Sequence, residues 1–279
     1  MSSHDSLGVG RVAATVVAVC VVGLVSGCTL LAPPTPSTTT PAAIAPDADP
    51  IAQQLPNLLV AGQTIGTGTL RVVDHEPISK PVAEHPLTGT VRIVVRPDRG
   101  IEVRIRPDQP ADPSLAGIDL VLTGKRHDGG PENIQIQDQR IFPLNSGANS
   151  AESDGELVLP LETDAASLGD PTFLHSIEES PSGDARVMAA AVITWTITPA
   201  FPELKAVDRG SVKNAGGRVI TDNGTLAYYV PKPDDTIYAV ARRFGLTETQ
   251  LVWLNPELAN TSAPQLRSGV GVNLDPARR

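Results

Sequence analysis

The sequence is poor in cysteine, in aromatic residues and in positive charge. It holds two cysteines, Cys20 and Cys28, and 3% aromatics in 279 residues. Beyond residue 28 no disulfide framework can form, so whatever folds there folds without one. With so few aromatics, the core has to be built from Val, Ile, Leu and Ala. A hydrophobic content of 41% supplies enough of them. The formal net charge of -9 excludes a nucleic-acid partner, whose phosphates would be repelled. It gives no attraction to anionic lipid either, so membrane attachment would need a covalent anchor. The motifs of catalysis are missing as well: there is no Gly-Xaa-Ser-Xaa-Gly elbow, Ser-Xaa-Xaa-Lys, His-Glu-Xaa-Xaa-His or phosphate loop. The pairs His75-Glu76, Glu84-His85 and His127-Asp128 fall in expected loops. No two histidines have the i, i+2 or i, i+4 spacing that aims both at one ion. The expectation is a protein that is not an enzyme and carries no metal or cofactor.

What is abundant is Pro (26) and Gly (24), which favours turns and short strands. The apolar run Val12 to Val25 is shorter than the roughly 20 residues of a membrane-spanning helix and fits the hydrophobic region of a signal peptide. Val25-Ser26-Gly27-Cys28 follows it and resembles the bacterial lipobox. That resemblance implies a signal peptide over 1–27, cleavage after Gly27, a diacylglycerol on Cys28, and a place on the outer face of the cytoplasmic membrane. Residues 28–63, rich in Pro, Thr and Ala, cannot bury a core and read as a semi-rigid tether.

From 64 to 198 the pattern is that of strands. Ile101, Val103 and Ile105 alternate with Glu102, Arg104 and Arg106, and the segment 89–95 before them is β-rich. Pro97, Asp98 and Gly100 supply the turn of a hairpin. Further strands are expected at 68–73, 117–123, 133–142, 155–161, 172–178 and 186–197. The last would place Val187, Ala189, Ala191, Ile193, Trp195 and Ile197 on one face. Short strands at regular spacing with no helical period predict an all-β, sandwich-like domain. Arg92, Arg104 and Arg106 form either a basic stripe for an anionic polymer or a solvated sheet face. A protein partner of this domain is an open alternative.

After a linker (199–225) that ends in a hairpin turn at Asp222-Asn223-Gly224, two helices are expected. Ile237, Val240, Ala241 and Phe244 share one face of the first. Asp234, Asp235 or Thr236 caps it, and Gly245 ends it. Thr247 and Gln250 make a capping box for the second, with Leu246 and Leu251 at staple spacing. Pro256 stops it, and Val270, Val272 and Leu274 alternate as a strand. The strand–helix–helix–strand order resembles the LysM family, on "YYV" (228–230), "DDTIYAVARRFGLTETQLVWLNP" (234–256) and "LRSGVGVNL" (266–274). The resemblance spans 226–276 and implies an α+β chain overall, with a small βααβ module behind the β domain. It implies binding of N-acetylglucosamine-containing glycan such as peptidoglycan. The groove it implies lies between the loop before the first helix, with Asp235, Thr236 and Ile237, and the loop after the second, with Asn255, Pro256 and Leu258. Position 234 is glycine in the family and aspartate here, so a left-handed backbone is expected to be less available. Tyr228, Tyr229, Tyr238 and Trp253 are either sugar-stacking platforms or core.

Overall fold

The computed structural model describes residues 55–73, 86–111, 115–131, 141–144, 150–151, 155–161, 169–184, 186–260 and 264–279. All of them belong to one compact unit, Asp47–Arg279. The segment read as a signal peptide, Cys20, Cys28, most of the segment read as a tether and the pairs at 75–76 and 84–85 lie outside the described residues.

The chain is mostly β. Among the described residues ten strands precede residue 198: β1 (Thr64–Val72), β2 (Gly89–Val95), β3 (Ile101–Pro107), β4 (Ile118–Thr123), β5 (Ile141–Pro143), β6 (Ser150–Ala151), β7 (Leu157–Pro160), β8 (Ser176–Pro181), β9 (Ala189–Val192) and β10 (Thr194–Trp195). They form one curled sheet in the order β5-β4-β8-β9-β1-β2-β3-β7-β6, with β10 also on β1. β1 is the joint of the curl. One edge pairs with β2, and the other pairs with β10 at Gly66↔Trp195 and with β9 at Arg71↔Ala190. This crossing needs glycine at 68, where a Cβ would stand 2.7 Å from the Val192 carbonyl oxygen. The curl brings Ile93, Val103 and Ile105 of one half into the same core cluster as Leu120, Leu122 and Ile177 of the other. The alternation read in 101–106 holds on its apolar side: Ile101, Val103 and Ile105 are all buried.

Two strand expectations change. In 172–178, residues 171–173 form a 3-10 turn, and β8 begins only at Ser176. Asp170 caps the turn through the Thr172 amide, and Pro171 opens it with the φ a helical turn requires. In 186–197 the strand is split at Ile193, whose amide donates to the His175 carbonyl. Ala189, Ala191 and Ile193 are nevertheless buried on one face, as the alternation requires, with Trp195 and Ile197 packed against the same core. Of the segment 133–142, residues 132–140 lie outside the described ones and Ile141 starts β5.

The C-terminal module contains β11 (Arg218–Asp222), β12 (Thr225–Val230), α1 (Ile237–Arg243), α2 (Glu248–Leu254) and β13 (Val272–Asn273), with its sheet in the order β11-β12-β13. Asn223 and Gly224, at φ 49° and 80°, make the two-residue turn between β11 and β12. Thr236 caps α1 by accepting from the Ala239 amide, and Gly245 follows at φ 72°. The capping box is complete: the Thr247 hydroxyl accepts from the Gln250 amide at 3.1 Å, and the Gln250 side chain accepts from the Thr247 amide at 2.9 Å. Tyr229, Val240, Phe244, Leu246, Leu251 and Leu254 form the module's core.

The sheet and the module meet at Asp170. Its carboxylate accepts from the Trp253 indole at 2.7 Å, the Ala200 amide at 2.8 Å and the Thr172 hydroxyl at 2.7 Å. The Arg279 guanidinium stacks 4.0 Å from the Trp253 ring centre and donates to the Thr172 hydroxyl and the Trp253 carbonyl. Burial alone would raise the Asp170 carboxyl; Arg279, Thr172, Ala200 and Trp253 together outweigh it and hold the group below its ordinary value.

Candidate functional site

The two loops expected to form the groove are both well determined by their own residues. In the loop before α1, Asp234 takes φ 69°. The left-handed turn is thus made without glycine, against the sequence expectation. Aspartate tolerates this region because its short polar side chain bonds locally. Asp235 is spent on the fold. Its carboxylate accepts from the Tyr229 hydroxyl at 2.5 Å and from the amides of Lys232 at 2.8 Å and Gly216 at 3.0 Å. Burial opposes ionisation there, but the Tyr229 hydroxyl and the backbone amides prevail, and the carboxyl lies below its ordinary value. Burial and that same carboxylate push the Tyr229 hydroxyl up to about 12. Thr236 is exposed, whereas Ile237 is buried in the module's core.

In the loop after α2, Asn255 is 1% exposed. Its Nδ2 donates to the carbonyls of Leu251 at 2.8 Å and Asn273 at 3.0 Å, and its Oδ1 accepts from the Asn273 amide at 2.7 Å. These bonds tie β13 to the end of α2 and leave the side chain no face toward solvent. Pro256 is buried and opens a 3-10 turn, Pro256–Asn260, in which Leu258 is half-buried against the core. Of the six residues expected at the groove, Thr236 is exposed, Asp235 and Leu258 are half-buried, and Ile237, Asn255 and Pro256 are buried. Asp235 and Asn255 hold the two loops through their hydrogen bonds.

A segment that the sequence reading treated as linker runs beside this site. The Thr236 amide donates to the Asn214 carbonyl at 2.9 Å, so one backbone donor of the first loop is already engaged. Asn214 itself lies at φ 61°. The segment is fastened by Arg243, read from sequence as a favourable charge in the last turn of α1. Arg243 is 6% exposed; it holds Asp208 through two bonds of 2.8 and 3.0 Å and donates to the Ala215 carbonyl at 2.9 Å. Residue type does not distinguish Arg243 from its exposed neighbour Arg242; their positions on the helix do.

The aromatic residues divide in the same way. Tyr228, Tyr229 and Trp253 are buried, and Tyr238 is 55% exposed with Arg242 above its ring. On the curled sheet, Arg92 meets Glu156 in a two-oxygen pair at 2.8 and 2.7 Å, and Arg104 bonds Glu102 at 2.6 Å. Two of the stripe's arginines, Arg92 and Arg104, are therefore paired with the sheet's own carboxylates. His127 lies 2.8 Å from Glu178, and among the described residues no three metal-ligating side chains gather.

Among curated proteins and among solved structures, nothing matches the chain. The family model described as "LysM domain" matches residues 229–269. This stretch runs from Tyr229 in β12 through both capped helices to Gly269, just before β13. Residues 229–269 are a LysM domain.

Proposed function

We propose that the chain is a lipid-anchored envelope protein, not an enzyme, that holds N-acetylglucosamine-containing glycan such as peptidoglycan through its LysM domain. LysM domains generally bind such glycans. The observation that carries the reading for this chain is the pair of loops around α1 and α2. A left-handed turn is present at Asp234, where the family resembled has glycine, and Thr236 lies exposed beside it. On this reading Thr236 and Leu258 face the sugar, Ile237 and Pro256 support the walls, and Asp235 and Asn255 hold the loops in place. The curled sheet is read as a sandwich-like body that a tether on Cys28 carries away from the membrane. No helix of the described residues is long and apolar enough to cross a membrane.

The test is sedimentation of the full chain with insoluble peptidoglycan. Wild type is expected to pellet and to be released by soluble N-acetylglucosamine oligomers, with Thr236→Trp pelleting less. Failure of the folded wild type to pellet overturns the glycan reading. The anchor is tested separately by fatty-acid labelling, which is expected in the wild type and absent from Cys28→Ala; an unlabelled wild type sinks it.

A second reading has its own support. The Thr236 amide is engaged by Asn214, and Asn255 is sealed. These features suit a LysM domain kept for folding, in a scaffold protein whose sheet binds a protein partner. Absence of pelleting by a chain that melts cooperatively favours it.

A further inference from the structure

The curled sheet has a cavity of about 550 Å³ between residues 86–88, 109–111 and 115–118 and β8. That volume falls within the roughly 300–1,000 Å³ of small-molecule sites. Among the described residues, Leu87, Pro110, Ala111, Leu115 and Ile118 give it apolar walls, Thr88 and Gln109 are neutral polar lining residues, and Glu179 of β8 is the acidic one. Glu179 is fully buried. Its Oε2 accepts from the Leu87 amide at 2.8 Å, while its Oε1 is closed to water and has no hydrogen-bond partner in the structure. A buried carboxyl oxygen left without a partner destabilises an empty protein and serves no packing purpose that a leucine would not serve better. A second sign stands on the wall itself. Leu115 is held at φ 51°, a region that bulky side chains rarely enter and that recurs at ligand-holding loops.

We infer that this cavity is a binding site for a small apolar molecule bearing a primary amine, with Glu179 as the amine's partner. The chemistry follows from the walls and the one acidic group among the described lining residues, with Thr88 and Gln109 as neutral polar neighbours. An apolar body fills the space that Leu87, Ala111 and Ile118 enclose. An ionised carboxylate accepts hydrogen bonds and donates none, so the ligand supplies the donor. An ammonium is the donor that gains most, because the bond is charge-assisted and formed away from water. Burial pushes the Glu179 carboxyl up to about 7, against the lowering effect of the Leu87 amide. The group is therefore poised at neutral pH, and an arriving ammonium draws it into the charged form. The site is independent of the LysM domain and of glycan.

The test is calorimetric titration of the full chain with cyclohexylmethylamine and with the uncharged cyclohexylmethanol of the same shape. At pH 8 the amine is expected to bind at least about tenfold more tightly than the alcohol. Glu179→Gln keeps an oxygen for the Leu87 amide and is expected to fold. It should weaken the amine by about tenfold and leave the alcohol unchanged. Ala111→Trp, which fills the cavity and keeps Glu179, should abolish both. Equal binding of amine and alcohol, unchanged amine binding in Glu179→Gln, or no binding of either at millimolar concentration would each overturn the inference.

Discussion

Asn255 and Thr236 stand on the two loops of the LysM domain, yet their side chains serve different ends. Asn255 satisfies three buried backbone groups, at Leu251 and Asn273, and is itself sealed. Truncating it leaves those groups unpaired in a place water does not reach, at about 1–3 kcal/mol for a buried group. Thr236 makes one capping bond at the surface, and its loss costs about 1 kcal/mol. Asn255→Ala is therefore expected to lower the urea midpoint clearly more than Thr236→Ala. Any loss of peptidoglycan binding in Asn255→Ala should track the unfolded fraction. A full-stability Asn255→Ala protein that no longer binds would show that the side chain faces the sugar after all. The resemblance to LysM placed Asn255 beside the groove, because the sequence records which loop a residue occupies and not which way its amide turns.

At the scale of elements, what was legible follows from local chemistry. The capping box at Thr247 and Gln250, the Asn223-Gly224 turn and the apolar side of the β3 alternation are all encoded within a few residues and are present as read, whereas Glu102 on the polar side is buried. What was not legible depends on long-range partners. Asp170 lies 83 residues before Trp253, and Arg279 lies 107 residues after Thr172. No periodicity announces such pairs. The same holds for the joint in β1: Gly66 and Gly68 read as weak strand residues until β9 and β10 arrive against them. The split at Ile193 has a similar cause. The segment leaves β8 after Val192 and takes up β1 again at Thr194, a change of neighbour that alternation cannot encode.

For the whole molecule, two buried titrating groups act on stability in opposite directions over nearly the same pH range. Glu179 has its carboxyl at about 7 in the folded chain, against an ordinary 4.5. Between those values the unfolded chain has lost the proton and the folded chain keeps it, so stability falls as pH rises from about 4.5 to about 7. His175 is at about 4 against an ordinary 6.5, lowered by burial first and then by the Arg126 charge. Its Nε2 lies 2.7 Å from the main-chain oxygen of Arg279, a contact to which the neutral ring donates. As pH falls through 6.5 the unfolded chain takes up a proton that the folded chain refuses, so here stability rises with pH. Each effect is at most about 3 kcal/mol over its whole range. Asp170 and Asp235, both held below the ordinary 3.8, lose their stabilising effect only at lower pH. Wild type is thus expected to show a nearly level urea midpoint from pH 5 to pH 6.5, on the order of the window both groups share. Glu179→Gln should uncover a midpoint that rises with pH, and His175→Gln one that falls. The double variant should be level again. Slopes of the same sign in the two single variants would mean that the groups do not titrate against each other, and that the level profile has another origin.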